Sequence, residues 1–367
     1  MRRHDLDWIR VLVFMLLIFY HVGMFFVPWG WHIKNNIIVE DLRWPMLFVN
    51  QWRLASLFLI SGMGTRFALS SRTQKQYIFE RVKRLFIPLV VGMVLIVPPQ
   101  VYIERVVNDG YTYSFLHFWM NDAFIPVYPE GNLSWHHLWF LPYLLFFSLI
   151  LSPLFIYLRN HPEASFFQWQ RNKLAKNKYA LLLYVIPLFL AESLIEPFFP
   201  VTHGFVGDWF TMAFFIFIFF YGYNFIALGQ PFWDALDRIK QHALKGGVVF
   251  FILYLAIIHQ EDNIGIHFTE AAIKMLNMWC WMLVIFGYGA ILLNRPSKLL
   301  SYCNEAVYPF YIFHQTITVG IAYYIYDSGM PIFFKFIILT IGTFLMSWIL
   351  FELVKRVSLL RPLFGLK

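Results

Sequence analysis

Stretches of about 20 mostly apolar residues, divided by short polar gaps, recur along the whole of this 367-residue chain. A helix of roughly 20 residues rises about 30 Å, which matches the hydrocarbon thickness of a bilayer. Ten such stretches fall at about 6–28, 49–69, 85–105, 137–158, 180–199, 208–228, 246–260, 271–293, 302–326 and 331–353. Lipid offers no water to pair with peptide groups, and a helix pairs its own. The expected fold is therefore all-α, a polytopic integral membrane bundle of ten transmembrane helices. Composition agrees: 59% of residues are hydrophobic and 14% charged, against roughly 45–50% and about 25% in soluble domains.

Charge sets the expected orientation, because basic gaps stay on the cytoplasmic side. Arg2 and Arg3 precede the first run, and Lys355, Arg356, Arg361 and Lys367 follow the last. Further basic gaps span 66–84, 159–178, 238–245 and 295–298, whereas Lys34, Arg43, Arg53, Arg105 and Lys274 fall on the other side. Both termini are thus expected in the cytoplasm. A net charge of +8 arranged in this way speaks for membrane topology and against nucleic acid. No small-residue cleavage site follows the first apolar run, so it reads as a retained helix. The two cysteines, Cys280 and Cys303, both sit in apolar segments and form no disulfide framework or zinc spacing. No metal site is expected. With no Gly/Ser linker, residues 1–367 read as a single domain.

Polar residues inside apolar runs are costly and mark candidate chemistry. Arg10 and His21 lie eleven positions apart on the first helix, almost three turns, so they share one face about 16 Å apart along the axis. Asp7 is placed to pair with Arg10. Against a polar channel stands a plain alternative: Arg10 snorkels to headgroups and His21 bonds a neighbouring helix. Arg81 and Arg84, three apart where the third run begins, suit a phosphate group, although basic loops are common on that side. Ser61 and Gly62 are small residues of the kind that let helices approach closely. His137 and Trp139 open the fourth run. His314 lies about 20 Å into the ninth and His21 about 22 Å into the first, so the two fall at one level. Glu192 and Glu196 near the end of the fifth run, and Asp208 at the start of the sixth, lie at similar depth.

Taken in order, the Arg10–His21 spacing, Ser61-Gly62, Arg81-x-x-Arg84, His137-Leu-Trp-Phe-Leu and the segment Tyr308 to His314 resemble the membrane-bound acyltransferase 3 family. The pattern is most similar to its branch that adds succinyl groups to periplasmic glucans. The resemblance runs along nearly the whole chain. It implies ten core helices in a cell membrane, a cytoplasmic acyl-CoA donor (acetyl-CoA or succinyl-CoA) as co-substrate, and an extracytoplasmic carbohydrate acceptor. By it, His21 is the catalytic base or acyl relay, Arg10 its partner in a donor tunnel, and Arg81 and Arg84 the phosphate grip, with Ser61 and Gly62 beside the donor. His137, Trp139, His314, Glu192, Glu196 and Asp208 are supporting or acceptor-side candidates. A Trp-Ser-Leu-x-x-Glu-Glu segment and an added hydrolase-like domain, both found elsewhere in that family, are missing here. The competing function is a secondary transporter or flippase for a glycan or small acid, since intramembrane His, Glu and Arg also serve proton-coupled transport. Repeated Gly/Pro-broken helices in matching halves, common in transporters, are not evident.

Overall fold

The computed structural model describes residues 3–260 and 263–366. Arg2 and Lys367, which entered the orientation argument, lie outside the described residues. Among those residues the regular structure is helical, with one isolated bridge between Val127 and Leu133. The principal helices are α1 (His4–Met24), α2 (Arg43–Leu69), α3 (Gln74–Asn108), α4 (Phe115–Asn121), α5 (His136–Ile150), α6 (Ser152–Asn160), α7 (Ser165–Lys176), α8 (Val185–Leu194), α9 (Trp209–Leu228), α10 (Gln230–Ile257), α11 (Ile264–Leu292), α12 (Lys298–Ile325), α13 (Ile332–Arg356) and α14 (Leu360–Leu363).

Helix occupies each of the ten expected intervals, but the membrane-crossing character is uneven. Five helices among the described residues are long and apolar enough to cross a bilayer: α1, α3, α9, α11 and α13. The pair α5 and α6, bent by 48°, makes a sixth if counted as one span. Polar side chains explain part of the shortfall, since α2 carries Arg43, Asn50, Gln51, Arg53 and Arg66. The fifth interval has only ten α-helical residues, preceded by a 3-10 turn at Lys178–Tyr184.

The surface pattern of α13 is that of a helix in lipid. Its buried positions include Lys335, Leu339, Thr343, Ser347 and Phe351, one every four residues, which is a single helical face. Phe333, Phe334, Ile341, Leu345 and Leu353 point outward. A helix in water puts its polar face outside; here the polar groups face in. The chain is a multi-pass membrane protein.

The residues gather into two compact units. One comprises Met1–Val13, Phe48–Phe79 and Tyr143–Ser297. In it, α10 packs along α11, and α2 crosses α9 where Gly62 meets Gly222. A Cβ on Gly62 would overlap the Phe219 carbonyl oxygen, and one on Gly222 would overlap that of Leu59. The other unit comprises Phe14–Leu47, Glu80–Pro142 and Lys298–Lys367. Its framework is α12 packed against α13 and α3, around a core of Val22, Phe25, Phe26, Ile33, Val319, Ala322 and Leu339.

Candidate functional site

Proline shapes the helix that carries much of the second unit's polar chemistry. α3 widens into π-turns at Val82–Phe86 and Gly92–Ile96. Pro88 has no N–H and its ring crowds the carbonyl four residues back, that of Arg84. A stranded carbonyl in an apolar setting needs a donor, and the Tyr308 hydroxyl supplies one at 2.8 Å. Pro98 stands in the same relation to Val94, whose carbonyl accepts from Trp119 Nε1 at 2.9 Å. The irregular turns are thereby tied to their neighbours by side chains. π-Turns of this kind recur at functional sites.

At the centre of this unit two imidazoles meet. His21 Nδ1 lies 2.7 Å from His314 Nε2, and the ring planes lie within 8° of each other with centroids 4.9 Å apart, the edge-to-edge arrangement of an in-plane N–H···N bond. His314 is fully buried. Its Nδ1 faces two carbonyls of its own helix, Tyr311 at 2.8 Å and Phe310 at 3.1 Å. A carbonyl only accepts, so Nδ1 carries the proton and Nε2 of neutral His314 offers a lone pair. That lone pair accepts from His21 Nδ1–H. The lone pair of His21 is consequently on Nε2, and a hydrogen bond on the opposite nitrogen fixes its tautomer.

The polar cluster continues from this pair. The His137 ring stands perpendicular to that of His314, with centroids 5.3 Å apart. Its Nε2 donates to the Ile312 carbonyl at 2.9 Å, and its Nδ1 accepts from Gln100 Nε2 at 3.3 Å. Gln100 Oε1 accepts from Gln315 Nε2 at 3.0 Å, while Gln315 also donates to His32 Nε2 at 2.9 Å. The other nitrogen of His32 bonds the Glu104 carboxylate, which accepts from the Tyr128 hydroxyl at 3.3 Å. His32, Gln100, Glu104 and Gln315 are all buried.

The remaining residues singled out in the sequence have their own settings. Arg10 pairs with Asp7 at 3.4 Å; it precedes His21 by eleven residues on the continuous α1. Ser61 donates to the Leu57 carbonyl of its own helix at 2.8 Å, and Gly62 makes a packing contact in the α2–α9 crossing. Arg84 and Lys83 line a cavity of about 540 Å³, whereas Arg81 is not among its lining residues. A π-turn begins directly after Arg81 and contains Arg84. Trp139 is buried where α5 begins. Glu192 forms an ion pair with Lys274. Asp208 accepts from Tyr143 and, at 2.7 Å, from Thr211. Glu196 contributes its backbone N–H to the Ala191 carbonyl. Among His314, Glu192, Glu196 and Asp208, the side chain bonded to His21 Nδ1 is that of His314.

The model of the acyltransferase 3 family, described as an acyltransferase domain, matches residues 3–352. This chain belongs to the acyltransferase 3 family. Its similarity to curated members extends over almost the full length of both partners. It is 24% identical over 378 residues to glucans biosynthesis protein C of Shigella dysenteriae serotype 1 (strain Sd197), covering 99% of this chain and 94% of the other. It is 25% identical over 379 residues to the protein of that name from Salmonella heidelberg (strain SL476), with the same coverage.

Sequence reasoning for this acyltransferase 3 member missed Gln100 and Glu104. A signal existed, since they lie four apart in an otherwise apolar run and so share a face. Lys335 falls inside the expected run 331–353. It is fully buried and donates to Asn35 Oδ1 at 2.7 Å and Asn36 Oδ1 at 3.1 Å. These bonds fasten the loop that follows α1 to the start of α13.

Proposed function

We propose that this membrane acyltransferase moves an acyl group, acetyl or succinyl, from acyl-CoA in the cytoplasm to a hydroxyl of an extracytoplasmic glycan. In this reading all ten helices cross a bacterial inner membrane, with both termini in the cytoplasm. The supporting observation is the hydrogen-bonded pair of His21 and His314. Its tautomers leave His21 Nε2 as the basic nitrogen, and a neutral imidazole is suited to general-base work near pH 7.

His21 Nε2 takes the proton of the acceptor hydroxyl as its oxygen bonds to the thioester carbonyl carbon. The imidazolium keeps its Nδ1–H bond to His314, which supports the new positive charge. Collapse of the tetrahedral adduct breaks the C–S bond, and the proton passes from His21 to the sulfur to give the free thiol of CoA. Arg10 lies about 16 Å before His21 by helical rise, a span similar to that of an extended pantetheine arm. It is assigned to the donor passage.

Protein reconstituted in nanodiscs with radiolabelled acetyl-CoA or succinyl-CoA and a β-glucan oligosaccharide tests this reading. Acylated oligosaccharide together with released thiol supports it. Oligosaccharide or acid flux in vesicles without thioester consumption overturns it in favour of a carrier.

A further inference from the structure

The segment after α13 is built into the second unit. Gly365 has φ of +76°, and a Cβ there would overlap the Tyr308 ring. Only glycine combines that backbone with so close an approach. The Phe364 ring packs 4.8 Å from that of Phe313, and Leu366 N–H donates to the Arg361 carbonyl at 2.8 Å. Tyr308 is also the residue that holds the Arg84 carbonyl. The π-turn of α3, Tyr308 of α12 and the segment after α13 therefore meet around one tyrosine.

Beside it lies the cavity of about 540 Å³, lined by Glu80, Lys83, Arg84, Ser358 and Arg361, with Leu366 at its edge. Among the described residues, three cations there face one carboxylate. Glu80 sits 3.7 Å from Arg84, a loose, half-exposed pair of the kind that contributes little. The Arg361 Nε donates to the Lys355 carbonyl at 2.9 Å, which fixes the guanidinium at the wall. A confined group of Arg, Arg, Lys and Ser matches the donors that phosphate oxygens accept from.

We propose that Arg361, together with Lys83, joins Arg84 in holding the phosphate groups of the acyl donor in this cavity. The assignment rests on the acyl-CoA reading above and adds a binding residue from beyond the last long helix. The reach is suitable. Tyr308 precedes His314 by six residues on α12, about 9 Å of helical rise, which an extended pantetheine arm exceeds. An anionic lipid headgroup offers the same phosphate chemistry, so the experiment must separate the two.

The experiment compares acyl-CoA with acyl-pantetheine, which lacks the nucleotide phosphates, in nanodiscs of purely zwitterionic lipid and of lipid containing phosphatidylglycerol. In Arg361→Ala and, separately, Lys83→Ala protein, KM for acyl-CoA rises about tenfold, the loss expected for one charge-assisted phosphate contact. The KM advantage of acyl-CoA over acyl-pantetheine shrinks by the same factor, in either lipid. Arg361→Lys recovers part of it. Two folded variants that keep the wild-type KM ratio overturn the inference. So does an effect confined to phosphatidylglycerol discs, which makes the cavity a headgroup site. Wild-type protein that transfers from neither thioester defeats the acyl-CoA reading instead, a result distinct from both.

Discussion

The ring of His21 meets that of His314 edge to edge and nearly coplanar, Nδ1 to Nε2, although 293 positions separate the two in the chain. The carbonyls of Phe310 and Tyr311 decide which way the proton points between them. His314 is therefore a positioning residue in this account. Replacing it with Ala should lower kcat on the order of 10- to 100-fold with little change in either KM. His314→Gln, whose Oε1 also accepts, should recover much of the loss. The split between kcat and KM, together with the rescue by Gln, separates this role from packing.

Glu104 and His32 form a buried pair at the far end of the same polar cluster. Glu104→Ala leaves the His32 Nδ1–H without its acceptor and should cost roughly 1–3 kcal/mol of stability. Glu104→Gln, which keeps a hydrogen-bonding oxygen, should cost less. Thermal unfolding in detergent gives the order of the three proteins.

Gly62 makes a close helix crossing in this structure, and its variants distinguish packing from donor binding. Gly62→Ala should destabilise by roughly 1–3 kcal/mol, the usual penalty for overpacking, and lower the folded yield. The fraction that folds should keep its KM for acyl-CoA within about twofold. A raised KM at unchanged stability would return Gly62 to the donor site.

His203 gives a pH prediction in the loop before α9. Burial holds its pKa down to about 4, against a smaller opposing effect of Asp208. The unfolded chain therefore takes a proton first as the medium acidifies. This contribution to stability is fully present above pH 6.5 and is lost as pH falls from there towards 4. His203 has φ of +55°, which Asn tolerates. His203→Asn should accordingly unfold with a shallower dependence on pH between 6.5 and 5, as measured by melting temperature.

Much of this architecture is visible in the sequence, because an apolar run of membrane length has few ways to satisfy its backbone. The level of His21 and His314 was also within reach, since rise per residue is constant on helices that begin at known ends. Other parts depend on departures from regular helix. The π-turn at Val82–Phe86 begins after Arg81 and contains Arg84, and neither an apolar pattern nor a motif reports a π-turn. Glu192 and Asp208 look like catalytic partners by depth alone, yet each has its own neighbour, Lys274 for one and Tyr143 for the other. Depth fixes one coordinate, and the angle around the bundle comes only from packing. Gln100 and Glu104 needed that angle before they could be joined to His32 and His137.

The most direct measurement is single-turnover acyl transfer by His21→Ala protein in nanodiscs, with folding verified by its melting temperature and its affinity for acyl-CoA. With the general base removed, the account predicts a fall of at least about 100-fold in the transfer rate at near-normal donor affinity. A properly folded His21→Ala protein that acylates the glycan at close to the wild-type rate would contradict it.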